Sequence, residues 1–91
     1  YSPAMVRFYA HILDAFQRKG KRIAICGEIV GNPKGALLMV GLGARWISMD
    51  VNGIASVKAA LSNVTLQELK KSAEICKNLR TEQEVMAFLG F

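Results

Sequence analysis

Residues 22–49 read RIAICGEIVGNPKGALLMVGLGARWISM, and this stretch decides the fold. It opens on Arg22-Ile23-Ala24-Ile25-Cys26, a short and largely apolar run closed by Gly27, which is the pattern of a buried strand. Glu28 to Gly31 reads as a loop. Asn32-Pro33 then pairs a cap residue with a proline at the first helical position. The helix it starts carries Ala36, Leu37, Leu38, Met39 and Val40, apolar on every side. A helix without a polar face is normally covered from more than one direction. Gly41 or Gly43 stops it, Trp46 to Met49 supplies a second strand, and Asp50 to Gly53 reads as a turn. Strand, helix and strand in this order predict two parallel strands joined by a right-handed crossover.

Outward from this unit the chain is helical. Ser2-Pro3 opens a helix in which Met5, Tyr9, Ile12 and Phe16 recur at helical spacing, with Val6 and Leu13 beside them. Arg7, His11, Asp14 and Arg18 form its polar stripe, and Gly20 closes it. Ile54 to Leu61 makes the first of three helices that end the chain. Thr65 with Glu68 predicts a capping box for the second, and Thr81 with Glu84 another for the third. Leu66, Leu69, Ala73 and Cys76 form the inward stripe of the second. Two strands are too few for a parallel sheet, which is normally covered on both faces. The fold class is therefore α/β, two parallel strands with flanking helices, as in a slice of a (β/α) barrel or of a doubly wound sheet. In either, chemistry collects at the carboxyl ends of the strands.

The composition agrees with a slice. Of 91 residues 52% are hydrophobic and the mean hydropathy is +0.24, high for a body that buries only roughly 60–65% of its unfolded surface. Some faces are then meant to meet other protein. The first residue is Tyr1 rather than Met, and together these points predict an excised segment. The net charge of +5 permits an acidic partner without requiring one. Its basic clusters, Arg18 to Arg22 and Lys70 to Arg80, lie on helix ends and polar faces, where a solvated role suffices. The longest apolar run, Ala36 to Ala44, is broken by Gly41 and Gly43 and is far short of the ~20 residues of a membrane span. Two cysteines far apart fit no zinc or redox spacing. No secretory signal precedes them, and a reduced, cytoplasmic protein is the expectation.

Two strand ends could carry chemistry, Cys26-Gly27-Glu28 and Met49-Asp50. At the first, the glycine allows close backbone approach, and the loop leads to amides at the start of the next helix that could hold an anion. The thiol could be a nucleophile if its pKa were lowered, or a proton donor if kept protonated, and apolar Ile23, Ile25 and Ile29 favour the second. On spacing alone, a small buried packing residue explains Cys26 equally well. Glu28 could orient a substrate or water, although a loop carboxylate is commonly a structural acceptor. Gly27 to Gly35 lacks the Gly-Lys-Ser/Thr ending of a phosphate loop. His11 reads as solvated and Cys76 as core.

Ile25-Cys26-Gly27-Glu28, then Gly31-Asn32-Pro33, then Leu37 to Gly43, resembles the end of the phosphoenolpyruvate-binding barrel of phosphoenolpyruvate-utilising enzymes. Ile47-Ser48-Met49 and the lead-in Ser2-Pro3-Ala4 resemble the Enzyme I branch of the phosphotransferase system, in its sugar or nitrogen-related form. The motifs cover residues 1–62, the last βα units, and residues 63–91 match as appended C-terminal helices by order only. The resemblance implies a C-terminal fragment of a (β/α)₈ (TIM) barrel, with Arg22–Cys26 its seventh strand and Trp46–Met49 its eighth. It implies transfer of the phosphoryl group of phosphoenolpyruvate to a histidine on a mobile domain, with Mg²⁺, and onward to a phospho-carrier protein, by a homodimer. Cys26 is then the general acid that protonates the enolpyruvate carbon to give pyruvate, and Gly27 and Glu28 are substrate-binding. The family's phosphate-binding arginines, metal-binding carboxylates and phospho-accepting histidine match nothing here, so the fragment alone is expected to be inactive and to hold no Mg²⁺. Asn32 stands where many relatives have Asp, and Asp50 where Ser is common.

Two other classes compete. A helical self-association module would use the bare apolar faces and leave Cys26 as a buried structural residue. A nucleic-acid-binding domain would use the positive charge, but no recognition motif or aromatic platform supports it.

Overall fold

The two strands pair in parallel. In the computed structural model, which describes all residues from Tyr1 to Phe91, β1 (Ala24–Cys26) and β2 (Trp46–Ser48) form a two-stranded sheet with Ala24 opposite Trp46, Ile25 opposite Ile47 and Cys26 opposite Ser48. Around them lie α1 (Pro3–Arg18), α2 (Glu28–Gly31), α3 (Pro33–Leu42), α4 (Val51–Ser62), α5 (Leu66–Lys77) and α6 (Glu82–Leu89). The stretch from Glu28 to Gly31 is thus a single helical turn rather than a loop.

Local chemistry sets the helix ends. Ser2 accepts the Met5 N–H at 3.1 Å and Asn32 accepts the Lys34 N–H at 2.9 Å, each just before the proline that starts its helix. α1 ends at Arg18, and Gly20 takes the left-handed conformation that glycine adopts without strain. α3 runs through Gly41 and stops at Gly43, whose φ is 123°. Asp50 to Gly53 is no free turn. The Gly53 N–H bonds the Asp50 carbonyl at 2.9 Å, and this turn is the first of α4, which therefore begins at Val51.

α3 is the central element, packed against α1, α2, α4 and α5, as its all-round apolar surface requires. Met39 is the largest fully buried side chain, and Val6, Leu13, Ile25, Val30, Leu38, Ala73, Cys76 and Val85 join it in one core. α5 and α6 therefore share the interior of the strand–helix–strand unit. The core side of α1 is set by Pro3, Val6 and Leu13; Met5, Tyr9 and Ile12 are half-buried, and Phe16 is exposed. On α5 the inward stripe is Leu69, Ala73 and Cys76, whereas Leu66, in the first turn, is exposed.

The two capping boxes differ. Thr65 and Glu68 bond reciprocally, at 3.1 and 3.0 Å. Thr81 accepts the Glu84 N–H, but the Glu84 carboxylate reaches one residue further back, to the Arg80 N–H at 3.1 Å. The hydrogen bonds from the Thr65 backbone and then its side chain hold the Glu68 carboxyl below the usual glutamate range. A carboxyl lowered in the folded state stabilises above its unfolded value and stops doing so as pH falls through its folded one. The start of α5 is thus expected to fray only below the ordinary glutamate range, seen as loss of amide protection at Thr65, whose N–H the carboxylate accepts. Fraying already at neutral pH would contradict the box.

The interior is small for so apolar a chain. Only 15 of 91 residues are buried, and Phe8, Trp46, Val51, Ile75 and Phe91 are among the large hydrophobics left in solvent. The strands show the same imbalance. Ile25 is buried and Ile47 packs on the core, but Ala24, Cys26, Trp46 and Ser48 are exposed. β1 is therefore buried on one face rather than two, because alternate residues of a strand point to opposite faces and nothing here covers the second.

Candidate functional site at the strand ends

β1 and β2 run the same way, so their carboxyl ends lie side by side. Neighbouring strands are about 4.8 Å apart, which brings Cys26 and its register partner Ser48 together on the uncovered face. Beyond them the chain turns differently on each strand. After Cys26, Gly27 takes φ 110°, ψ −175°, a conformation an L side chain rarely adopts, and this carries the chain straight into α2. After Ser48, Asp50 occupies the cap position of α4 without bonding any of its amides through the side chain. Its carboxylate is exposed and unpaired at the strand end.

Cys26 is a free, exposed thiol. Cys26 is therefore not a packing residue of this chain's own core. Ile23, Ile25 and Ile29 pack on the core, so the apolar enclosure expected around the thiol is absent. Glu28 is exposed in the one turn of α2 and pairs with no cation. The amides expected to hold an anion are largely used. Pro33 has no N–H, the Asn32 side chain takes that of Lys34, and the Asn32 carbonyl takes that of Ala36. Cys26, Gly27 and Glu28 are thus brought to one strand end, but they line none of the five main cavities. Ser48 was not singled out from the sequence, since its place beside Cys26 follows only from the register.

Other candidates separate from this end. Cys76 is fully buried on α5, and burial pushes its thiol pKa up. His11 is exposed on α1. No three His, Cys, Asp or Glu side chains gather into one group. No helix is long and apolar enough to cross a membrane. The two thiols give a direct check. Cys26 is expected to be alkylated in the folded chain and Cys76 only after denaturation; equal native reaction of both would contradict this packing.

Residues 1–66 match the family model described as PEP-utilising enzyme, PEP-binding domain. The chain is 33% identical over 89 residues to a phosphoenolpyruvate-protein phosphotransferase of Bacillus sp. (strain S), covering 98% of this chain and 15% of that protein. It is 34% identical over 88 residues to the protein of the same name from Borreliella burgdorferi, covering 97% and 15%. It is 34% identical over 85 residues to a multiphosphoryl transfer protein of Xanthomonas campestris pv. campestris, covering 93% and 10%. The chain thus spans about a seventh or less of the length of these relatives.

Proposed function

The chain belongs to the PEP-utilising enzyme family, matching its PEP-binding domain, and from that membership we propose that it is the C-terminal part of a phosphoenolpyruvate-protein phosphotransferase. One observation carries the reading. An exposed thiol ends β1 on the face of a parallel pair that nothing covers. In a (β/α)₈ barrel each strand turns one face to its helices and the other to the barrel interior. Here Ile25 and Ile47 turn to the helices, and Ala24, Cys26, Trp46 and Ser48 to the side where the remaining strands belong. β1 and β2 are the seventh and eighth strands of that barrel. Residues 1–62 are its last βα units, and residues 63–91 are appended helices.

The whole enzyme moves the phosphoryl group of phosphoenolpyruvate to a histidine nitrogen. The bond from phosphorus to the enol oxygen breaks and a phosphorus–nitrogen bond forms, and the group then passes to a phospho-carrier protein. The enolate left behind needs a proton on its methylene carbon. Cys26 gives it from Sγ, pyruvate leaves, and the thiolate takes a proton from water. A proton donor at this step belongs at the carboxyl end of a barrel strand, open to the substrate side. Gly27 keeps the backbone there free of a side chain, and Glu28 orients the bound carboxylate through water. Magnesium, in the family reaction, would neutralise phosphate charge, and on this reading its ligands lie in the other parts of the enzyme. The enzyme acts as a cytoplasmic homodimer in a phosphotransferase system, of the sugar or the nitrogen-related form, and the 91 residues alone are inactive.

The test is pyruvate formation from phosphoenolpyruvate, with Mg²⁺ present, in a longer protein that supplies the other strands and the histidine-bearing domain. Turnover there, and none from the 91-residue chain, is the expected pair of results. A longer protein that forms no phosphohistidine would end the reading.

A further inference from the structure

A cleft of about 500 Å³ opens between α1, the end of α3 and α5. It lies far from Cys26. Gly41 and Gly43 line it at one end of α3, and that helix is ten residues long, about 15 Å, with the Cys26 loop at its other end. Four permanent cations line it, Arg7, Arg45, Lys70 and Lys77, against two carboxylates, Asp14 and Glu74. Both carboxylates are already engaged, Asp14 by Arg18 at 2.9 Å and Glu74 by Lys77 at 2.6 Å. Arg7, Arg45 and Lys70 therefore remain uncompensated.

The two guanidinium groups are also held in place. Arg7 Nη1 donates to the Lys77 carbonyl at 3.3 Å. Arg45 Nη1 donates to the Ala44 and Val40 carbonyls at 2.8 and 3.2 Å. Each is anchored through one nitrogen, so Nε and Nη2 stay available. A guanidinium fixed in this way loses little further freedom when it takes up an oxyanion. Capping the ends of α3 and α5 would alone account for the two arginines, but not for Lys70, which has no partner in the chain, nor for a cleft this size between them.

We propose that this cleft binds a phosphate dianion, free or carried as a monoester on a small polar molecule. Lys70 and Lys71 are adjacent exposed lysines on α5, and only Lys70 lines the cleft. Removing either changes the charge equally, so their difference reports the cleft. The probes are inorganic phosphate, glycerol 3-phosphate and chloride, at one ionic strength, with the full chain. Amine acylation read by mass spectrometry is expected to show several-fold protection of Lys70 by one or both phosphates, and none of Lys71. By calorimetry Lys70→Gln is expected to weaken binding about 10–100-fold, as loss of one charge-assisted bond does, and Lys71→Gln less than about twofold. Preference for glycerol 3-phosphate over inorganic phosphate identifies the monoester as the ligand. Equal protection of both lysines, equal effects of the two variants, or protection by chloride matching that by phosphate would overturn the proposal. The acylation experiment needs no variant, so it stands even if a substitution disturbs folding.

Discussion

Alanine at Cys26, in a longer protein that supplies the other barrel strands and the histidine-bearing domain, is expected to slow pyruvate formation by about 10²–10⁴-fold, the range a positioned general acid contributes. The structure makes this a clean substitution. In the 91-residue chain Cys26 is exposed at the end of β1 and belongs to no buried cluster, so alanine opens no cavity there and should change the stability of that chain by less than about 0.5 kcal/mol. The loss is then chemical. Two measurements separate the proton step from the phosphoryl step. Exchange of the pyruvate methyl protons with solvent, which needs the same acid working in reverse, should fall in parallel with pyruvate formation. Phosphohistidine formed from phosphoenolpyruvate in a single turnover should be slowed far less. Cys26→Ser keeps the size but offers a much weaker acid, and should resemble alanine. An unchanged rate of pyruvate release in Cys26→Ala would remove the residue from the mechanism.

A large effect on stability is expected at Gly41, second only to buried Gly35, whose Cβ would meet the Ile29 carbonyl still more closely. A Cβ there would lie 2.3 Å from the Leu69 carbonyl oxygen, 2.9 Å from its carbon and 3.1 Å from the Ala73 Cβ. The two nearest contacts are backbone, so no rotamer can relieve them and α3 and α5 must move apart. The contact lies within the most extensive helix–helix packing of the chain. Gly41→Ala should cost about 1–3 kcal/mol, as overpacking does, against a total of roughly 5–14 kcal/mol for a chain this long. The sign is diagnostic. At an open helical position the same change stabilises by about 1 kcal/mol. Gly31, around which a Cβ would meet nothing within 4 Å, serves as the control and should be neutral or slightly stabilised as alanine. A urea midpoint raised by Gly41→Ala would show that the two helices are not in close contact there.

Much of the architecture was legible because it is written locally. Ser2, Asn32 and Thr65 cap as their spacing predicts, and the strand–helix–strand order leads to the parallel pair. What was not legible depends on contacts between distant residues. Asp50 to Gly53 has turn composition, yet it starts α4. A Cβ on Gly53 would lie 3.3 Å from the Gly31 carbonyl and from the Met49 sulfur, so the glycine serves close packing as well as turning. Glu84 has the spacing of a box but bonds Arg80 instead. Above all, an apolar strand says that it can be buried, not which neighbours are there to bury it. Ile25 and Cys26 are adjacent in one run, and only Ile25 is covered. The cleft around Lys70 was invisible for the same reason, since its cations come from three separate segments.

The Arg22 guanidinium lies 4.8 Å from the centre of the Trp46 ring, and Trp46 stands half-exposed on the same strand face as Cys26. It is the one tryptophan of the chain. Its fluorescence is therefore an intrinsic gauge of whether that face is wet or dry: emission at long wavelength marks a sheet open to water, and a shift to the blue marks the moment further strands close over the thiol.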